Sequence, residues 1–188
     1  RDFVGQFSLA GAQAKTALYF DGSRWGVPGG ATPTTHILKP AIQGFDDHEL
    51  NEHICLDAAR RVGLLAARTR VDQFGAESVI VVTRYDRVSG PTGVRRVHQE
   101  DVCQALGVPP SRKYQNEGGP AAIDVIALLR RELPPREASL AVAGFVDALI
   151  WNWVIAGTDA HAKNYSLLLS GGSTRLAPLY DIASALPY

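Results

Sequence analysis

Gly157 to Asn164 reads Gly-Thr-Asp-Ala-His-Ala-Lys-Asn, and the interpretation of this 188-residue chain starts from it. Asp181 follows in the sequence Leu-Tyr-Asp-Ile-Ala-Ser. An apolar helical segment precedes the stretch and a short apolar strand follows it, so its polar side chains lie on irregular backbone, where binding and catalytic residues are concentrated. Asp159, Asn164 and Asp181 offer carboxylate and amide oxygens, which are the ligands that a hard cation such as Mg²⁺ prefers.

The spacing of these three residues matches the catalytic loop of protein kinases. In an Asp-x-x-x-x-Asn loop the Asp accepts the proton of the attacking hydroxyl, the Asn holds magnesium, and a later Asp clamps the metal against the phosphates. Asp159 is therefore the candidate base, and Asn164 and Asp181 are the candidate metal ligands. The alternative is an ordinary turn, since Asp and Asn favour turns through local hydrogen bonds, so the motif needs support from the rest of the chain.

Length and charge exclude several classes of protein. The chain is long enough to bury a sizeable core as one domain or as two small lobes. Its 19 basic and 19 acidic residues cancel, so no overall field favours nucleic acid or an anionic membrane surface. There is no run of about 18 apolar residues and no signal core. We expect a cytoplasmic protein without membrane contact or direct nucleic-acid binding, and we assign no role to Cys55 and Cys103, which lack metal-ligand spacing.

The first half of the chain alternates and is rich in β-branched residues, which predicts antiparallel strands. The predicted strands are a hairpin over residues 7–20, then 34–40, 71–74 and 78–82. One helix interrupts them, capped by Asp46 and Asp47 and ending near Val62, with acidic groups at its positive end. Its predicted apolar stripe consists of Leu50, Ile54, Ala58 and Val62.

Three features of this half suit a nucleotide. The turn from Ser8 to Lys15 carries Gly11, so backbone amides there can approach phosphates, although it is neither a Walker loop nor Gly-x-Gly-x-x-Gly and an ordinary hairpin turn is the alternative. Lys39 ends a strand, where its ammonium is either solvated or a partner for the α and β phosphates. Glu52 lies off the helix stripe, where it is either solvated or paired with Lys39.

The boundary between two lobes is predicted within residues 88–97, whose Ser-Gly-Pro-Thr-Gly composition indicates a loop or linker. This gives a first lobe over 1–97 and a second over 98–188. Just before the boundary, the backbone of residues 83–85 is a candidate for binding an adenine edge, unless it is simply a strand end whose aromatic side chain packs on the core.

The second lobe is predicted to be helical. The predicted helices are 98–106, 120–133 and 136–156. The last of them is apolar nearly all round, which predicts a buried central helix whose C-terminal end delivers Asp159.

This order of elements is that of a protein kinase. The sequences of several segments, which span nearly the whole chain, resemble the HipA family of toxin kinases. The segments are Ser8–Leu18, Thr32–Lys39, Asn51–Glu52, Arg84–Arg87, His98–Asp101, Lys113–Tyr114 with Gly118–Pro120, Thr158–Asn164 and Leu179–Ser184. The resemblance implies an α+β, two-lobed protein-kinase-like fold, in which a small antiparallel β lobe with one helix precedes a mostly helical lobe.

The resemblance also implies an ATP- and Mg²⁺-dependent serine/threonine kinase, the growth-arresting toxin of a bacterial toxin–antitoxin pair. Such kinases are held in check by a HipB-like DNA-binding antitoxin and phosphorylate translation components, aminoacyl-tRNA synthetases among them. The implied nucleotide-binding residues are Ser8, Ala10, Gly11, Ala12, Gln13, Lys15, Lys39, Thr83, Arg84, Tyr85, His161 and Lys163. Asp159, Lys39 and Glu52 are the implied catalytic residues, Asn164 and Asp181 the metal ligands, and Ser8 the autophosphorylated serine. His161 and Lys163 either touch phosphate or only shape the turn, and for Lys163 we favour phosphate contact.

Two other functions stay open. A small-molecule phosphotransferase uses the same catalytic residues, but the sequence of the loop that contains Ser8 argues against this function. An inactive antitoxin-binding module is the other, and the intact Lys39, Asp159, Asn164 and Asp181 argue against that. Relative to the family, the chain is truncated at both ends, so we expect part of a longer polypeptide that is not a complete enzyme alone.

Overall fold

The computed structural model describes residues 13–30, 32–91 and 93–188. In chain order the elements are β1 (Thr16–Phe20), β2 (Trp25–Gly26), β3 (His36–Pro40), α1 (His48–Arg61), β4 (Thr69–Phe74), β5 (Glu77–Thr83), β6 (Arg87–Gly90), β7 (Gly93–Arg96), β8 (His98–Asp101), α2 (Val102–Ala105), α3 (Ala122–Glu132), α4 (Pro135–Val154), β9 (Ser166–Ser170) and β10 (Ser173–Leu176). Single 3₁₀ turns cover Pro110–Arg112, Gln115–Glu117 and Ala162–Asn164. In this part of the chain, no helix is long and apolar enough to cross a membrane.

A five-stranded antiparallel sheet carries the first half of the chain, in the order β2-β1-β3-β5-β4. β3 is its central strand, with Leu38 opposite Val81 of β5. The apolar run of β5 is buried on both faces, as its composition predicts, and α1 contacts β4 and β5. The predicted α+β class is therefore confirmed. β1 is the second strand of the predicted hairpin, whose first strand falls largely on residues outside the described range, and β2 was not predicted.

The buried face of α1 differs from the predicted stripe. Leu50, Ile54 and Val62 are exposed. The residues that face the interior are Glu49, Glu52, Cys55, Leu56 and Ala59. The prediction was wrong because the helix carries two partly apolar stripes, and the one that turns Glu52 towards β3 is buried. The prediction of the N-terminal cap was also only partly correct. Asp47 is the residue that precedes the helix, but its side chain makes no capping hydrogen bond.

The segment after β5 contains more strand than predicted. The expected linker over 88–97 forms the hairpin of β6 and β7. The helix expected over 98–106 begins as β8, which pairs with β9 so that Gln99 lies opposite Leu168. Non-local pairing outweighs the weak local helix propensity here. Helix α2 then starts at a capping box, in which Asp101 accepts from the Gln104 N–H and the Gln104 side chain accepts from the Asp101 N–H.

The predicted helices over 120–133 and 136–156 correspond to α3 and α4. These two helices pack on each other, and Leu128, Leu129 and Phe145 form the centre of the largest core. The prediction that α4 is buried all round was wrong. Within the described residues only one face of α4 is covered, because it contacts α3 and β10, and Trp153 on another face is 83% exposed.

The end of α4 sets the position of residues 157–164, the candidate catalytic loop. The Gly157 N–H donates to Asn152 O (2.7 Å) and the Ala156 N–H donates to Trp153 O (3.2 Å), which is a Schellman motif. Ala156 has a φ of 51°, in the left-handed region usually occupied by Gly. A Cβ atom at position 157 would lie 2.6 Å from Asn152 Oδ1, so any larger residue there would have to displace this buried side chain. The chain therefore leaves the helix abruptly, two residues before Asp159.

His36 on β3 makes the stability of the sheet sensitive to pH. Its ring is buried and packs edge-on against Phe20 (5.7 Å) and Trp25 (5.2 Å). Burial, aided by Arg70, lowers the pKa of His36 below its ordinary 6.5. Below that pH the unfolded chain binds a proton that the folded chain does not, so the free energy of unfolding should decrease as pH falls from 7.5 to 5.5.

We expect His36→Gln to flatten this slope, as measured by urea unfolding at several pH values. The same substitution at the exposed His98 is the matched control. An unchanged slope in His36→Gln would exclude His36 as its source.

Candidate active site

A cavity of about 480 Å³ lies between the first sheet and the loops that follow α4. It is lined by all the predicted site residues that the structure describes. These are Gln13, Lys15, Lys39, Glu52, Thr83, Arg84, Tyr85, Asp159, His161, Lys163, Asn164 and Asp181. The other four predicted residues, Ser8, Ala10, Gly11 and Ala12, lie outside the described range. Residues from both ends of the described chain therefore meet in one cavity.

Lys39 joins the two sides of this cavity. Its Nζ donates to Glu52 Oε1 (2.7 Å) and to Asp181 Oδ1 (2.8 Å), although Lys39 and Asp181 are 142 residues apart. The Lys39 and Glu52 side chains are only 7% and 1% exposed, which excludes the solvated alternative for both. Burial alone would lower the pKa of Lys39, but the two carboxylates raise it well above its ordinary value. The ammonium is therefore charged and fixed in direction.

Asp181 lies on unusual backbone. Its φ is 57°, a left-handed conformation that Asp tolerates better than most residues and that is concentrated at functional sites. Burial would raise the pKa of Asp181, but contact with Lys39 and the nearby charge of Lys15 hold it below its usual range. Asp181 is thus an ionised carboxylate, and its stability contribution is lost only when the pH falls below that range.

Asn164 connects the two loops that carry the candidate metal ligands. Its Nδ2 donates to Asp159 O (2.8 Å) and to Asp181 O (3.3 Å). These bonds fix which end of the amide carries the oxygen, so Oδ1 is left as a potential ligand. In the described ranges, no three His, Cys, Asp or Glu side chains could hold a metal by themselves. Asn164 and Asp181 nevertheless fit Mg²⁺, which usually takes one or two protein ligands and completes its shell with phosphate and water.

The catalytic loop is held by side chains from other elements. Asp159 is 71% exposed, and its Oδ1 accepts from Tyr114 Oη (2.6 Å). His161 is buried, and burial lowers its pKa, so its neutral Nε2 can accept from Lys113 Nζ (2.7 Å). Lys163 pairs with Asp101 at the end of β8. The charge of Lys163 is therefore already balanced, which favours a role in shaping the loop over phosphate contact.

A hydrogen-bond network that includes the Ser166 and Tyr180 hydroxyls also supports the candidate catalytic loop. Gln99 Nε2 donates to Ser166 Oγ (3.2 Å), and Ser166 Oγ lies 2.5 Å from Tyr180 Oη. Tyr180 Oη donates in turn to Lys163 O (2.6 Å). Burial raises the pKa of Tyr180, so its hydroxyl keeps its proton. The network links β8, β9 and the residue before Asp181 to the catalytic loop.

Two of the three backbone amides in the predicted adenine-binding segment are already hydrogen-bonded within the protein. The Thr83 N–H donates to Arg68 O (2.8 Å) and the Arg84 N–H donates to Thr35 O (2.9 Å), so both amides are already used. The Arg84 guanidinium forms a two-pronged ion pair with Asp86. Within the described ranges, the Tyr85 N–H makes no backbone hydrogen bond. Of the three predicted residues, Tyr85 therefore offers the available backbone donor.

Sequence reasoning assigned no role to several residues of this site. Asp101, Lys113 and Tyr114 stand in segments quoted for the family resemblance, yet nothing in their spacing indicated contact with the catalytic loop. Tyr180 was visible only as the neighbour of Asp181. Their roles depend on contacts between residues that are far apart in sequence.

Comparison with known proteins defines the class. Residues 7–188 match the family model of the HipA-like C-terminal domain, and the chain belongs to this family. A putative kinase of Sinorhizobium fredii (strain NBRC 101917 / NGR234), Y4mE, is 42% identical over 184 residues, which are 97% of this chain and 43% of the relative. The serine/threonine-protein kinase toxin HipA of Shewanella oneidensis (strain MR-1) is 32% identical in an alignment 194 residues long, which covers 97% of this chain and 44% of the relative.

Solved structures confirm the kinase-like fold. One chain of the Shewanella oneidensis MR-1 toxin–antitoxin complex of HipA, HipB and operator DNA superimposes on this chain with a TM-score of 0.85 at 27% identity. The match covers 100% of this chain and 46% of that chain. The proinflammatory kinase CtkA of Helicobacter pylori shares the fold, with a TM-score of 0.65 at 13% identity and coverage of 93% and 55%. The chain spans less than half the length of the curated relatives named above.

Proposed function

We propose that the protein is an ATP- and Mg²⁺-dependent serine/threonine protein kinase that acts as the growth-arresting toxin of a bacterial toxin–antitoxin pair. The observation that carries the proposal is the bridge from Lys39 to both Glu52 and Asp181, in the cavity that also holds Asp159 and Asn164. A buried lysine paired with a helix carboxylate, close to a later loop carboxylate that can bind metal, is the arrangement that protein kinases use for phosphoryl transfer.

Each residue has a distinct task in this proposal. Lys39 neutralises the α and β phosphates, and Asn164 and Asp181 hold the metal. Asp159 accepts the proton of the attacking hydroxyl, and its high exposure leaves it open to a macromolecular acceptor. The Tyr85 amide faces the adenine edge. ATP supplies the phosphoryl group, and Mg²⁺ offsets the charge that develops on it.

The biological setting is proposed from the family. A relative named as a HipA toxin and a solved complex with HipB and DNA support a HipB-like antitoxin as the partner. We propose a translation component, such as an aminoacyl-tRNA synthetase, as the protein substrate, and the cytoplasm as the location. The balanced charge of the chain supports DNA contact through the antitoxin rather than directly.

Ser8 offers the sharpest test of this proposal. Incubation of the purified full-length protein with ATP and Mg²⁺, followed by mass spectrometry, should find phosphate on Ser8, and chelation of the metal should abolish it. If Ser8 belongs to the phosphate loop, as the family resemblance implies, its phosphorylation would add about 1.5 to 2 negative charges near the nucleotide phosphates, so repulsion should weaken ATP binding. Ser8→Asp should therefore bind ATP more weakly than Ser8→Ala in calorimetry. Equal affinities would contradict the switch, and no transfer to any protein would contradict the kinase.

The choice of acceptor separates this proposal from its rival. Radiolabelled ATP should label protein acceptors and leave small-molecule acceptors, such as sugars and amino alcohols, unlabelled. The reverse pattern would indicate a small-molecule phosphotransferase, and the absence of any transfer would indicate a binding module.

A further inference from the structure

The loop between α2 and α3 places a tyrosine on the proposed base. Tyr114 stands between the two 3₁₀ turns of this loop, and its Oη donates to Asp159 Oδ1 at 2.6 Å. Within the described part of the chain, this is the hydrogen bond that the Asp159 carboxylate receives, since His161 Nε2 is 3.9 Å away. Tyr114 has no task in the proposed function.

The loop is docked firmly enough to fix the hydroxyl. The Ala162 N–H donates to Lys113 O (3.2 Å), and the Gly119 N–H donates to Tyr114 O (2.9 Å). A Cβ atom on Gly119 would lie 2.3 Å from Arg112 O and 2.7 Å from Tyr114 O, so this closure requires glycine. The loop backbone therefore holds Tyr114 in place independently of the contact with Asp159.

Lys113 anchors the same loop on the other side of Asp159. Its Nζ bonds His161 Nε2 (2.7 Å) and lies over the Tyr114 ring, 4.8 Å from the centroid. The rings of Tyr114 and His161 meet edge to face at 5.1 Å. Lys113 and Tyr114, which are adjacent in the loop between α2 and α3, thus contact two residues of the candidate catalytic loop, His161 and Asp159. The position of the loop between α2 and α3 therefore helps to set the position of the proposed base.

Asp159 needs this contact, because little else restrains its side chain. Asn164 holds the Asp159 carbonyl, not the carboxylate. An exposed carboxylate without a partner samples several rotamers, and only some of them point an oxygen at an incoming hydroxyl. With Oδ1 bound to Tyr114, Oδ2 is the oxygen left to accept the proton of that hydroxyl.

We propose that Tyr114 is a positioning residue for phosphoryl transfer, holding one oxygen of the Asp159 carboxylate so that the other faces the acceptor hydroxyl. The inference rests on the proposed kinase activity. Asp159 raises the pKa of Tyr114, which keeps the phenol protonated and therefore a donor at neutral pH. Loss of the hydroxyl should slow transfer without weakening nucleotide binding, because Tyr114 does not line the cavity, whereas Lys39 and Tyr85, which are proposed to contact ATP, do.

The test is Tyr114→Phe, which removes one oxygen atom and keeps the ring. We expect kcat for protein phosphorylation to fall about 10- to 100-fold, the range for a misplaced catalytic group. The KM for ATP and the calorimetric ATP affinity should stay within about twofold, since ground-state binding is unaffected. Tyr19→Phe, which makes the same change on β1 outside the cavity, is the matched control and should retain the wild-type rate.

Two further measurements keep the result decisive. Thermal unfolding of Tyr114→Phe should match the wild type, and if it does not, the assay is repeated well below the lower melting temperature and the same criteria apply. In a double-mutant cycle, Tyr114→Phe should cause less additional loss in Asp159→Asn than in the wild type, because it acts through that carboxylate.

The inference fails if Tyr114→Phe keeps the wild-type kcat, or if ATP affinity falls by the same factor as kcat. It also fails if wild-type protein accumulates phosphate on Tyr114, because the hydroxyl would then be an acceptor. Absence of any transfer by the wild type would instead overturn the proposed kinase activity, so the two failures are distinguishable.

Discussion

Replacing Lys39 by Met should lower the free energy of unfolding by about 3–5 kcal/mol, the usual result of removing one partner of a buried ion pair. Glu52 is 1% exposed, and its Oε1 would lose the Lys39 ammonium at 2.7 Å. Its Oε2 is already buried without a hydrogen-bond partner among the described residues. An uncompensated buried charge would remain. Urea unfolding measures the effect.

The physical cause can be separated from a simple loss of packing. Adding Glu52→Gln to Lys39→Met should restore most of the lost stability, because the remaining charge is removed while the side-chain shape is kept. Arg61→Met, which breaks the exposed pair with Asp57 on the same helix, is the matched control and should leave the midpoint unchanged. Additive losses from Lys39→Met and Glu52→Gln would contradict the ion-pair account.

Replacing Asp159 by Asn should reduce kcat for phosphoryl transfer about 10²- to 10⁴-fold, the usual contribution of a general base. Asn keeps an oxygen that can accept from Tyr114 but cannot take the proton of the acceptor hydroxyl. Affinity for ATP should change by less than about threefold, because the proposed metal ligands, Asn164 and Asp181, are untouched. Single-turnover assays and calorimetry measure the two quantities.

A charge control is available on α4. Asp147→Asn makes the same substitution at an exposed position outside the cavity and should retain full activity. If Asp159→Asn transfers phosphate at the wild-type rate, Asp159 is not the base. A large loss of ATP affinity would instead place Asp159 in the metal site.

Local patterns predicted most elements but missed how some of them pack. The β-branched run from Val79 to Val82 predicted a buried strand, and the structure contains it. The four-residue spacing of Leu50 and Ile54 predicted the helix correctly and its buried face wrongly. Burial depends on what the helix packs against, and here that includes Lys39 on β3, which accounts for the inward face of Glu52.

The conformation of the segment from His98 to Asp101 also could not be predicted from its local sequence. Its polar composition favours neither helix nor strand strongly, so the pairing of Glu100 with Leu167 on β9 decides its conformation. Helix α4 is the opposite case, since its local pattern was strong enough to predict the helix. Which of its faces is covered depends on packing against α3, the preceding helix, and against β10, and the pattern within α4 does not specify those partners.

The sequence by itself identified Lys39, Glu52, Asp159, Asn164 and Asp181 as candidate site residues, through short spacings and the family resemblance, but it gave no role to Tyr114 or the other supporting residues. Only the tertiary structure decided which of these side chains touch and what supports them. Lys39 meets Asp181 across 142 residues, and Tyr114 reaches Asp159 across 45. The physical reason is that residue types and short spacings encode the available donors and acceptors, whereas their pairing requires the folded chain to bring distant segments within hydrogen-bond distance.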